Sequence, residues 1–251
     1  MYNSFAHTKV KDLVNQNYLI ASVLYYFGVK IKDYKDFTFE DLCHKKGIST
    51  AAVIKEIDAL DELTPHAYQH IFNQPLLVVL AYLKYSHKNF IKYRLPYIAK
   101  LIDEASDSNF KNRSLLNDLK MIFPLFMEDF IKHIYDEEAT LFNYVQLLLE
   151  NKQLSDHTYI KLIWEMEHNS LQTYLDQHID EDEMKGIREL TKNFKCTDNS
   201  PLYERVVIAE LKGFSHDLKR HALIENDVLI PLAIEHEQLL KEKVASKIPL
   251  N

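Results

Sequence analysis

A chain of 251 residues that is 47% hydrophobic and 12% aromatic can bury one large core, or a large domain and a small one, without disulfide staples. Its net charge of −7 is spread along the sequence, whereas a nucleic-acid surface needs clustered cations, and the densest basic spot is only Lys45 and Lys46 beside His44. The longest apolar run, Pro75–Tyr82, falls far short of the roughly 20 residues of a membrane span, the opening MYNSFAHTKVKDLV lacks the apolar stretch of a signal peptide, and Cys43 and Cys196 suit neither a disulfide framework nor a thiolate metal site, so a soluble, cytoplasmic protein is expected.

Four glycines and seven prolines leave little material for hairpins or phosphate loops, and apolar residues recur at steps of three and four, so the fold class is all-α. Residues 1–70 read as a small helical domain. Its pieces are Asn15–Phe27, then Thr38–Lys45 with Thr38 as N-cap, then a helix from Ser49 or Thr50 to Leu63; Gly28 and Gly47 stand where the first two need C-caps. Residues 74–245 read as four longer helices. The first spans about Pro75–Glu104 with a kink expected at Pro96, and the second about Ser114–Asn151 with another at Pro124. The third starts near Ser155 and ends near His178, and the fourth follows Ser200 and Pro201 to about Lys243. Short connections between four such helices predict an antiparallel bundle.

Within these helices, polar residues occupy apolar positions. The first reads Leu80, Leu83, His87, Ile91, Leu95, Ile98, and the second Ile122, Phe126, Phe130, His133, Glu137, Leu141, Val145, Leu148. The third reads Ile160, Trp164, His168, Leu171, Leu175, and the fourth Leu211, Phe214, Leu218, His221, Glu225, Val228, Leu232. Each helix thus turns one imidazole toward the bundle axis, and two helices add a carboxylate on the same face. Burying such groups costs several kcal/mol unless they are paired or hold a metal.

Spacing alone is weak support, because 12 histidines and 37 acids produce about two His-x-x-x-acid pairs by chance and three occur. Position sorts them. His178 and Asp182 lie amid Asp180, Glu181 and Glu183 and read as a solvated helix end. The remaining six, His87, His133, Glu137, His168, His221 and Glu225, are too rich in nitrogen for magnesium or calcium and too many for one tetrahedral zinc. Two transition-metal ions sharing carboxylates fit them, and iron is the expected metal. Glu165 and Glu167 stand near His168 as candidate outer partners.

The segments HKNFIKYRLPYI, HIYDEEATLF, EMEHNSL and HALIENDVLIP resemble, in order and spacing, the hemerythrin-like di-iron domain of the repair-of-iron-centres family. The resemblance implies that His87, His133, His168 and His221 ligate two iron ions and that Glu137 and Glu225 bridge them. There are departures: LFNYV replaces the family's LFP after Glu137, and LIP replaces it after Glu225. Residues Ile20–Leu60, with YYFGVKIKDYKDFTFEDLCHKKGIS at their centre, resemble the family's small N-terminal domain, but Lys32, Asp33, Tyr34 and Lys35 occupy the positions of its Cys-Cys-Gly-Gly motif. That leaves the domain as a docking or homodimerisation module.

Two functions follow from the resemblance. The first is repair or protection of iron-sulfur clusters under nitrosative or oxidative stress, with iron-sulfur proteins as partners. The second is a non-catalytic hemerythrin-like protein that binds or senses oxygen or nitric oxide as a small ligand, which the missing cysteine pair favours.

Overall fold

Caps and apolar periodicity drive helix formation all along the chain. The structure, a computed structural model, describes residues 5–34, 36–61, 69–150, 160, 162–164, 166, 171, 182–197 and 199–245. Its helices are α1 (Val10–Gln16), α2 (Ile20–Tyr26), α3 (Phe39–Lys46), α4 (Thr50–Asp61), α5 (Leu76–Asn89), α6 (Leu95–Glu104), α7 (Arg113–Glu137), α8 (Asn143–Glu150), α9 (Lys185–Leu190), α10 (Leu202–Ile224) and α11 (Ile230–Ala245). Among the described residues there is no strand beyond an isolated antiparallel bridge between Lys9 and Thr38. The protein is all-α, as its sequence predicts. Contacts divide it into two units, one of residues 1–68, 94–124 and 184–215, the other of residues 69–93, 125–183 and 216–251.

In the first unit, two helices replace the single one expected over Asn15–Phe27. Asn17 turns extended and its Oδ1 accepts a hydrogen bond from the Leu19 N–H at 3.0 Å, a local alternative to the helical ladder. The caps form where expected. Thr38 Oγ1 accepts from the Asp41 N–H at 3.2 Å, and Gly28 and Gly47 adopt φ of 79° and 67°, a region that costs glycine little. The four residues that replace the Cys-Cys-Gly-Gly motif begin in a 3-10 turn, Ile31–Asp33, where Asp33 pairs with Lys46 at 2.8 Å, and Tyr34 is buried. Val10, Leu24, Phe39, Leu42, Val53, Leu95, Phe110, Leu119, Phe123, Val207 and Phe214 are core residues of this unit. Inside it, Arg94 Nη1 donates to Glu210 Oε2 at 2.9 Å, and Glu210 is fully buried. A Cβ on Gly213 would lie 3.3 Å from Arg94 Nη2, so the glycine makes room for the guanidinium.

In the second unit, α11 packs on α8, and α5 packs on α8 and on the turn Glu225–Leu229. Two predicted stripes need correction. Ile160 and Trp164 are 68% and 51% exposed and Leu162 and Met166 are buried, so the stripe is misplaced at these positions, whereas Leu171 is buried as predicted. In the first unit, Ile122, placed in the core by the sequence, is 38% exposed, and Leu119 and Phe123 are buried instead. The run MIFPLFM is apolar on every side, so periodicity cannot select its phase. Pro124 lies inside an unbroken α7.

A π turn, Phe90–Arg94, precedes Pro96, and two more occur at Glu138–Phe142 and Glu225–Leu229. Proline stands second in the helix after the first and third, as Pro96 and Pro231, where its missing N–H frees a carbonyl one turn back. The middle turn has Tyr144 at that place. There the Thr140 hydroxyl donates to the Asp136 carbonyl at 2.7 Å, so the widened turn forms even though LFNYV replaces LFP.

Candidate metal centre

Each π turn begins with an expected ligand or starts within three residues after one. His87 lies in the last turn of α5, Glu137 ends α7, His221 lies in the last turn of α10, and Glu225 opens the turn after it. The widened turns carry aromatic rings onto the imidazoles. Phe142 stacks on His87 with centroids 5.0 Å apart, and Phe90 meets His221 edge-on at 5.7 Å. Phe130, one turn before His133, stacks on it at 6.3 Å.

The donors converge. His87, Glu137 and His221 each offer an atom within 4.8 Å of the others. His87 Nε2 lies 3.0 Å from His221 Nε2, and Glu137 Oε2 lies 3.5 Å from both His87 Nε2 and His133 Nε2. Glu225 Oε2 is 3.9 Å from His221 Nε2. His87, Glu137 and Glu225 are buried, whereas the His133 side chain is 32% exposed at the rim. The structure thus brings His87, His133, Glu137, His221 and Glu225 together; His168 lies outside the described residues, as do Glu165, Glu167 and His178.

Two residues that the sequence did not single out join this group. Glu138 Oε1 accepts from His87 Nδ1 at 3.0 Å, which fixes the ring and leaves the Nε2 lone pair facing inward. Glu183, read from sequence as part of a solvated acidic end, instead places Oε1 3.2 Å from His133 Nε2. The only sequence signal for Glu138 was its place beside Glu137; nothing in the sequence set Glu183 apart from its acidic neighbours.

Electrostatics prepare the cluster for a cation. Burial pushes His221 well below its ordinary value and also lowers His87 against the opposing pull of Glu138, so both rings are neutral and carry lone pairs. Burial pushes the Glu137 carboxyl up to about 8, with a hydrogen bond from Glu225 pulling the other way and the charges of Glu183 and Glu138 adding to the rise. Glu137 Oε1 and His221 Nδ1 are buried with no hydrogen-bond partner among the described residues. Two donors bound at right angles to one cation at about 2.1 Å lie about 3.0 Å apart, and about 3.4 Å at the tetrahedral angle. The spacings of 3.0 and 3.5 Å around His87 match that range, and the nitrogen and oxygen donors suit a divalent transition metal.

A pH dependence follows for the metal-free protein. Unfolded, Glu137 loses its proton near 4.5; folded, it keeps it to about 8. The folded state then binds more protons across that interval, so stability falls as pH rises through it. The lowered imidazoles act in the opposite sense, but only below their ordinary value of 6.5. Between pH 6.5 and 8 the metal-free protein is therefore expected to lose about 2 kcal/mol of unfolding free energy through Glu137. Urea titrations that show level or rising stability over this range would contradict the burial of that acid.

No helix among the described residues is long and apolar enough to cross a membrane. The chain is similar to the iron-sulfur cluster repair protein YtfE of Yersinia pestis (strain Pestoides F), with 22% identity over 188 residues, 72% of this chain and 79% of the relative. The same figures hold for the proteins of that name from Yersinia pestis bv. Antiqua (strain Angola) and Yersinia pseudotuberculosis serotype O:1b (strain IP 31758). Residues 79–233, which span the described cluster from His87 to Glu225, match the hemerythrin HHE cation binding domain, and the chain belongs to that family.

Proposed function

We propose that this chain is a di-iron protein that repairs or protects iron-sulfur clusters under nitrosative or oxidative stress. The observation that carries the reading is the position of Glu137 Oε2, 3.5 Å from an imidazole nitrogen on either side, His87 and His133. One carboxylate within reach of imidazoles from different helices supports a bridging role for it. His87 and His221 would hold one ion, His133 and His168 the other, with Glu137 and Glu225 shared between them. Bound there, two iron ions supply reversible one-electron chemistry and open coordination positions. The protein's own part is to keep the imidazoles neutral, to fix His87 through Glu138, and to shield the inner donors with Phe90 and Phe142. The name of the relatives supplies the client class, iron-sulfur clusters.

A second reading, reversible binding or sensing of oxygen or nitric oxide without turnover, is favoured by the N-terminal segment. Lys32, Asp33 and Tyr34 stand where the family's cysteine pair would offer thiols, and Tyr34 is packed in the core. Elemental analysis after anaerobic loading with ferrous iron is expected to find two irons per chain. The loaded protein is then given a nitric-oxide-damaged iron-sulfur enzyme and, separately, nitric oxide alone. Recovery of the enzyme's cluster absorbance supports repair. A stoichiometric nitrosyl adduct with no cluster recovery and no nitrous oxide supports the second reading, and a chain that takes up no iron refutes both.

A further inference from the structure

We infer that Glu183 is a seventh protein ligand, a terminal carboxylate for the iron ion held by His133. This rests on the di-iron reading above and adds to it a residue from the segment that leads into α9, outside the four bundle helices.

Placement comes first. Glu183 belongs to an acidic run, Asp180 to Glu183, whose members a solvated helix end would leave in water. Its side chain is instead only 23% exposed, with Oε1 3.2 Å from His133 Nε2. Spacing comes second. The donors of the inner position, His87 Nε2 and His221 Nε2, are 3.0 Å apart, and the His133–Glu183 pair repeats that separation within the range expected of two donors on one cation.

Third, among the described residues His133 Nε2 faces carboxylate oxygens of both Glu183, Oε1 at 3.2 Å, and Glu137, Oε2 at 3.5 Å. A single N–H points at one acceptor, so a proton on this nitrogen serves one carboxylate well and the other poorly. A cation among the three atoms serves all of them. Charge balance points the same way. The two bridging carboxylates leave a pair of ferrous ions with a double positive charge to be carried in a largely buried site, and Glu183 halves it. His133 is also the most exposed of the described imidazoles of the cluster, so its ion has most need of a further protein donor to displace water.

The test compares wild type, Glu183→Gln and Glu183→Asp after anaerobic loading with ferrous iron, followed by titration with a chelator and elemental analysis. Wild type is expected to hold two ions per chain. Glu183→Gln is expected to hold one as tightly as wild type and the other about 10–100-fold more weakly, with Glu183→Asp in between. A Glu183→Gln protein that holds both ions with wild-type affinity overturns the inference. Should circular dichroism show that variant to be unfolded, a crystal structure of the iron-loaded wild type decides: a Glu183 oxygen about 2.0–2.2 Å from the ion supports it, and a carboxylate turned to solvent overturns it. A wild-type chain that takes up no iron removes the di-iron reading itself, and the wild-type sample alone reveals that case.

Discussion

Glu137→Gln is expected to abolish the uptake of both iron ions at once. Glutamine keeps the size and shape of the side chain but cannot supply an anionic carboxylate with two donor oxygens, so under the proposed bridging role neither position retains its shared ligand. A ligand present at 100–1,000 times its dissociation constant stabilises a fold by about 3–4 kcal/mol, and the variant should lose all of that difference between loaded and unloaded protein. The same substitution has a second, opposite signature in the metal-free state. It removes an acid whose proton release is pushed up to about 8, so the decline of unfolding free energy between pH 6.5 and 8 should be smaller than in wild type. Retention of one iron per chain by Glu137→Gln would show that the carboxylate belongs to a single ion.

Glu210→Ala is expected to cost about 3–5 kcal/mol of stability, the usual penalty for leaving one member of a buried ion pair without the other. Glu210 is fully buried and the Arg94 side chain is 15% exposed, with 2.9 Å between them. Removal of the carboxylate takes a charged partner 2.9 Å away from a guanidinium that solvent barely reaches. Burial pushes the Tyr34 and Tyr97 phenols well above their ordinary value, and the negative charge at Glu210 adds to the rise. The double variant Arg94→Met with Glu210→Leu should recover much of the loss, because an apolar pair of similar volume has no charge to desolvate. Urea denaturation that finds less than about 1 kcal/mol for Glu210→Ala would mean that the pair is solvated after all.

Glu210 shows the limit of what a sequence displays. It sits in the run VVIAELKGF with nothing local to mark it, and its partner Arg94 lies 116 positions away. Long-range pairing leaves no periodic trace. His87, His221, Glu137 and Glu225 were legible for the opposite reason: each replaces an apolar residue in a regular stripe, and each proves to be shielded from solvent. Where a segment is apolar nearly all round, as in MIFPLFM and YIKLIWEM, the stripe can be drawn on either side, and Ile122, Ile160 and Trp164 were placed on the wrong one. The N-terminal caps could be read because they depend on neighbours a few residues apart. Glu183 could not, because its role depends on where the chain comes back toward His133.

The widened turns also restrict how this protein can change over generations. Every added residue advances the side chains beyond it by about 100° around the helix axis. Loss of one residue, such as Ala139, would swing Leu141, Val145 and Leu148 off their buried bearing while leaving His133 and Glu137 in place. Lineages descended from this chain should accept substitutions in these turns far more readily than single-codon deletions, a bias that deep mutational scanning with an indel library would expose.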